Sequence, residues 1–307
     1  MRQFVAPFIR YLEEEKNLSA STVSSYQRDL GPFMEFLEQQ DLVEPDKVSR
    51  ALLVMFISRL KQDGKAPATI TRSVVTLRSF FHFLVRDGVL SHNPALLLDM
   101  PRQDKKLPVV LTTEEMEQLL KAPDLSTVQG SRDRAMLELL YASGIRVTEL
   151  VSLNDENVRL DLKYVHCRAA DGKERIVPIG GAAVYWIQQY EQEARPKLVQ
   201  RQEVQTDPAL FLNMNGKRMS RQGFWKLLKK YAADAGINKE ITPHTLRHTF
   251  AVHMLDRGAD IRSVQELLGN SDHGEPLLYR HVPRPSMKEV YDRYHPRAGM
   301  YAPNSHE

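Results

Sequence analysis

The chain has 307 residues, 42% of them hydrophobic and 26% charged. That length can hold two domains, each with its own core. No apolar run approaches a membrane span, and the N-terminus lacks a signal-peptide pattern, so a cytoplasmic protein without membrane contact is expected. A lone cysteine, Cys167, excludes an internal disulfide, and a net charge of +3 permits nucleic-acid binding without arguing for it.

Helical patterns fill the first hundred residues. "FVAPFIRYLEEEKN" carries apolar residues at helical spacing, and the run over 18–40 follows with Ser19 as its cap. "PDKVSRALLVMFISRLKQDG" predicts one helix over 45–64 ending on Gly64, and the run over 67–88 ends likewise on Gly88. Four such helices make a small bundle. The polar, proline-flanked and basic stretch "LDMPRQDKKLPVVLT" then reads as a linker.

Helices are predicted next at 112–121 and 130–142, before a turn through "YASGIRVTELVSL". "KYVHCRAADGKERIVPI" is the clear sheet signal. Asp171-Gly172 between two β-prone runs predicts a hairpin with a two-residue turn, which sets residues 170 and 173 face to face. Helices resume at about 181–194, 220–235, 243–257 and 260–268, with a tail helix over "SMKEVYDRYH". The chain has no internal repeat, nucleotide-binding glycine loop or zinc-type Cys/His cluster.

The segment "ITPHTLRHTFAVHML", 241–255, poses the chemical question. Thr242 can cap it, Pro243 suits the first helical position, and Leu246, Phe250 and Met254 recur every four residues. Yet His244, Arg247 and His248 crowd its first two turns. Without a glutamate between the histidines, and with Arg247 placing a cation there, a metal site is not expected. His244 and Arg247 share a face near a helix N-terminus, where N–H groups and the macrodipole favour an anion. Arginine offers a fork matched to phosphate, and histidine can move a proton near neutral pH. In isolation, the same residues could equally be a carboxylate-paired arginine and satisfied core histidines.

Other segments shift that balance. "YASGIRVTEL", "TPHTLRHTFAVHML", "VQELLG" and a tyrosine ten residues after that glycine occur in one order. The series resembles the tyrosine recombinase (phage integrase) family, in particular the bacterial Xer chromosome-dimer resolvases, and the likeness runs over essentially the whole chain. The resemblance implies a mainly α fold with a small β-sheet: a helical core-binding (SAM-like) domain over 1–98, a linker over 99–111, a mixed α/β catalytic domain over 112–298 and a tail over 299–307. These parts would close on DNA as a C-shaped clamp. It makes Tyr279 the nucleophile that forms a 3′-phosphotyrosyl bond, Arg146 and Arg247 the phosphate clamp, and His244 the general base, with no cofactor and no metal. The implied partners are double-stranded DNA, a homo- or hetero-tetramer with a second recombinase on two DNA sites, and a DNA translocase. The tail helix around 287–294 is expected to dock on a neighbouring protomer.

Two positions depart from the family pattern. Ala170 stands where the family has a hairpin lysine acting as general acid, and Asn270 replaces the histidine after "LLG". "SDHGEPLLYRHV" also lacks the usual serine- and threonine-rich lead into the tyrosine. Lys173 is a candidate stand-in for the lysine, or else a hairpin-tip charge that meets DNA backbone. Asn270 can donate a hydrogen bond to phosphate but carries no charge, and His273 lies nearby in sequence. Two readings follow: a working recombinase, in chromosome-dimer resolution or mobile-element integration, or an impaired recombinase-fold DNA-binding protein acting with an active partner.

Overall fold

A computed structural model describes residues 1–42, 44–101, 108–169, 172–201, 208–269 and 287–299. The chain divides into two compact units, Met1–Lys106 and Leu107–Glu307, at a point within the proline-flanked 99–111 stretch.

The first unit is built on α1 (Val5–Arg10), α2 (Ala20–Glu38), α3 (Arg50–Gln62) and α4 (Pro67–Arg86). In α4, Ile70, Val74, Leu77, Phe80, Phe81 and Leu84 fall three or four apart, and all are buried. Phe80 meets Phe8 of α1 edge-on at 5.3 Å. A polar clasp joins α2 to α4: Arg72 donates to both oxygens of buried Asp29 at 2.8 and 2.7 Å, and the Thr76 hydroxyl adds a third bond at 3.0 Å. The helix predicted over 45–64 is divided. Pro45–Lys47 forms a single 3₁₀ turn and Val48 is extended. Ser49 then accepts from the Leu52 N–H at 3.3 Å and starts α3 afresh.

The second unit packs α5 (Thr113–Lys121), α6 (Val128–Ser143) and α7 (Val147–Ser152) with β1 (Val158–Arg159), β2 (Tyr164–Arg168) and β3 (Glu174–Pro178). It continues with α8 (Gly181–Gln189), α9 (Arg195–Val199), α10 (Arg221–Asp234), α11 (Pro243–Asp256), α12 (Ile261–Leu268) and α13 (Met287–Tyr294). Helix α6 is the spine, buried almost all round, so its charged side chains must find partners inside. Asp133 bonds Arg132 at 2.7 Å and accepts from Tyr231 at 2.8 Å, while Glu138 takes both Arg134 and Arg297.

The antiparallel sheet has the order β1-β2-β3. Strand β1 was not expected, because two residues are too short to show alternation. The hairpin register also corrects the expectation. Arg168 pairs with Glu174, and the Ala169 N–H bonds the Lys173 carbonyl at 2.8 Å, so Lys173 faces Ala169 rather than Ala170. The turn closes through Gly172 N–H to Ala169 O at 2.9 Å, with Gly172 at φ +82°. That is the three-residue loop with a left-handed glycine, which the Asp-Gly pair alone does not distinguish from the two-residue form.

Within this chain, α13 packs against its own unit. Tyr291 is fully buried and its hydroxyl accepts the Gly180 N–H at 2.8 Å. His295 stacks on Tyr291 with ring centroids 4.6 Å apart, and Arg297 donates to Glu138 at 2.7 and 3.0 Å. A buried carboxylate inside α6 supplies the partner that draws the tail inward.

Candidate active site

Helix α11 forms as its sequence demands. The Thr242 hydroxyl accepts from Thr245 N–H at 3.3 Å, the Thr245 hydroxyl returns a bond to Thr242 N–H at 3.0 Å, and Pro243 opens the first turn. Leu246, Phe250 and Met254 are fully buried on one face. His244 and His248 are exposed and Arg247 is half-buried.

Two glycines end the helices whose last carbonyls Arg247 contacts. Gly144 ends α6 at φ +60° and Gly269 ends α12 at φ +68°. A Cβ at Gly144 would lie 2.5 Å from the Phe250 ring, so the position needs glycine for space as well as for conformation. The Arg247 guanidinium donates to the Gly144 carbonyl at 2.8 Å and to the Leu268 carbonyl. It thus sits on the C-terminal carbonyls of two helices, where the macrodipole favours a cation.

Arg146 occupies the N-cap position of α7. Its backbone N–H donates to Glu149 Oε2 at 2.6 Å, and its Nη1 stands 3.4 Å from Glu149 Oε1. Arg175, reaching in from β3, holds both oxygens of Glu149 at 2.6 and 2.9 Å and donates through Nε to the Leu267 carbonyl at 3.3 Å. Two guanidinium groups therefore hold the Glu149 carboxylate, and Arg247 lies within its electrostatic reach.

The electrostatics follow from that crowding. Burial first, then repulsion from Arg146, pushes Arg247 down to about 10, with Glu149 partly offsetting the effect. It remains cationic at neutral pH. Partial desolvation, then the charges of His248, Arg247, Arg221 and Arg146, holds His244 below its ordinary value, so it is a neutral proton acceptor at pH 7. Burial acts to raise the Glu149 carboxyl, but Arg175 and the Arg146 backbone together outweigh it and the carboxylate stays ionised. Cys167, opposite Arg175 in the hairpin, has its thiol pushed up to about 12 by burial and is unreactive.

Arg146 is thus brought near His244 and Arg247, about a hundred residues away in the chain. Lys173 is exposed at the hairpin end and, by alternation, shares a face with Arg175. Tyr279, Asn270, Ala170 and His273 lie outside the described residues. Sequence reading missed Arg175. Its signal was an arginine on the same strand face as Val177, paired across the hairpin with apolar Cys167.

Two arginines thus lie beside a neutral imidazole, on a helical second unit with a small sheet. Comparison with known proteins gives the class. The Phage integrase family signature matches residues 109–284, and the Phage integrase N-terminal SAM-like domain matches residues 5–88. Tyrosine recombinase XerD of Listeria innocua serovar 6a is 45% identical over 299 residues, covering 97% of this chain and all of the relative. The XerH recombinase bound to difH superimposes with a TM-score of 0.69 at 18% identity, covering 87% of this chain and 89% of that one. A lambda integrase from a tetramer bound to a Holliday junction gives 0.64 at 15% identity, covering 94% and 76%. The chain belongs to the phage integrase family, as a tyrosine site-specific recombinase of the Xer type.

Proposed function

We propose that the chain cuts and rejoins duplex DNA through Tyr279, within a tetramer that includes a second recombinase on two DNA sites. The observation that carries the reading is the Arg146–Arg247 pair beside His244 at the start of α11. A phosphodiester has one negative charge, and two fixed guanidinium groups can hold it and stabilise the charge that grows in a pentavalent transition state. No metal is needed for that task.

The steps balance without a co-reactant. The Tyr279 Oη attacks phosphorus and gives its proton to His244, and the bond to the 5′-oxygen breaks, leaving a 3′-phosphotyrosyl link. A partner strand's 5′-hydroxyl then attacks that link and the tyrosine recovers its proton. Asn270 donates a hydrogen bond to the phosphate. With Ala170 unable to protonate the leaving oxygen, Lys173 supplies that proton slowly from the end of the hairpin. The exposed face of α10, with Arg221, Trp225, Lys226 and Lys229, supports a nucleic-acid surface, since cations and an aromatic ring suit phosphates and sugars.

Incubation with a nicked duplex that traps the cut strand tests this reading. A covalent protein–DNA product is expected with the native chain, and Tyr279→Phe should abolish it while leaving affinity nearly intact. An adduct that survives Tyr279→Phe would refute the assignment.

A further inference from the structure

Arg175 belongs to none of the motifs that mark the site, yet it makes the strongest contact to the carboxylate at the site's centre. Its two terminal nitrogens engage both Glu149 oxygens in a fork, at 2.6 and 2.9 Å. The Arg146 side chain stands back at 3.4 Å from the same carboxylate. The Arg175 side chain is 13% exposed, that of Arg146 39% and that of Glu149 2%. Two guanidinium groups thus compete for one buried anion. The one that is desolvated and meets it in the bidentate geometry wins.

We propose that Arg175 is a positioning residue: by occupying the Glu149 carboxylate it keeps that charge from capturing and neutralising Arg146. Glu149 then anchors Arg146 through the backbone N–H at 2.6 Å while the Arg146 Nη1 stays at 3.4 Å instead of closing into a fork. The catalytic consequence rests on the reading of Arg146 as a phosphate clamp; the shielding itself does not. Gly269 fits the same design, because a Cβ there would stand 3.0 Å from the Arg175 Cδ and press on the fork. The Nε bond to Leu267 O also fixes Arg175 to the end of α12, close to where Arg247 is held.

The test uses the full chain with Arg175→Gln, Arg175→Lys and the double change Arg175→Gln with Glu149→Gln. In a crystal structure of Arg175→Gln, both terminal nitrogens of Arg146 should close onto Glu149; an unmoved Arg146 would overturn the proposal. On the nicked duplex, Arg175→Gln should slow adduct formation on the order of 10²-fold, as when one charge-stabilising donor is lost from a transition state, with a much smaller change in DNA affinity. Adding Glu149→Gln removes the capturing charge and should restore most of the rate. A double variant as slow as the single one would mean that Arg175 only supports packing, and the proposal would fail. If Arg175→Gln does not fold, Arg175→Lys keeps the charge but loses the fork, and it should show a smaller defect with the same rescue. Closure of Arg146 without any loss of rate would uphold the shielding and instead overturn Arg146 as the phosphate clamp.

Discussion

Gly144 and Gly269 let an apolar helix carry a cation at its start, because each exposes helix-end carbonyls that Arg247 can take. His244 and Arg247 stood out in the sequence by their types and their three-residue spacing on α11, whereas Arg146 entered only through the family resemblance, since alone it reads as a partner of Glu149. Arg175 was not legible, since a strand arginine normally reads as a solvated charge and only the register reveals its inward face. The same register bears on Lys173, which pairs with Ala169 and lies two residues from Arg175 on that face. If Lys173 delivers the leaving-group proton, Lys173→Ala should slow single-turnover cleavage of ordinary DNA by more than it weakens binding. An unchanged rate with weaker binding would make it a DNA-backbone contact alone.

Elements were legible where caps and periodicity agree, as in α2, α4 and α11. Sequence reading failed at α3, where Ser49 restarts the helix, and at the hairpin loop, where one extra residue changes every facing pair. The packing of α13 and the residues after it was illegible for another reason: Arg297 finds its partner Glu138 159 residues away in the chain. That docking has a pH signature. His295 is buried among Tyr141, Phe250 and Tyr291, and burial first pushes it down to about 3, against the Tyr141 carbonyl that acts the other way. The unfolded chain takes up a proton near the ordinary value of about 6.5 while the folded one does not. The contribution is therefore fully present above that value and is lost as pH falls through the window toward 3, at up to about 1.4 kcal/mol per pH unit. Thermal unfolding between pH 7 and 5 should show this slope, and His295→Gln should flatten it. Equal slopes in both chains would remove His295 from the account.

At the scale of the molecule, the division into a helical unit and a larger mixed unit was legible from composition, because a basic, proline-flanked stretch separates two apolar patterns. What composition could not supply was the proximity of Arg146 and Arg247, which feel each other's charge across about a hundred positions of chain. The central claim is the proposal that this recombinase holds its phosphate with Arg146 and Arg247 and cuts with Tyr279, without the leaving-group acid that Ala170 replaces. General-acid help is worth roughly 10²–10⁴ in rate, and a sulfur leaving group does not need it. The direct measurement is the single-turnover rate of adduct formation on two nicked duplexes, one ordinary and one with sulfur in place of the bridging 5′-oxygen. The account predicts slow cleavage of the oxygen substrate and recovery by about 10²–10⁴ on the sulfur substrate. Equal rates on the two substrates, or no adduct on either, would contradict it.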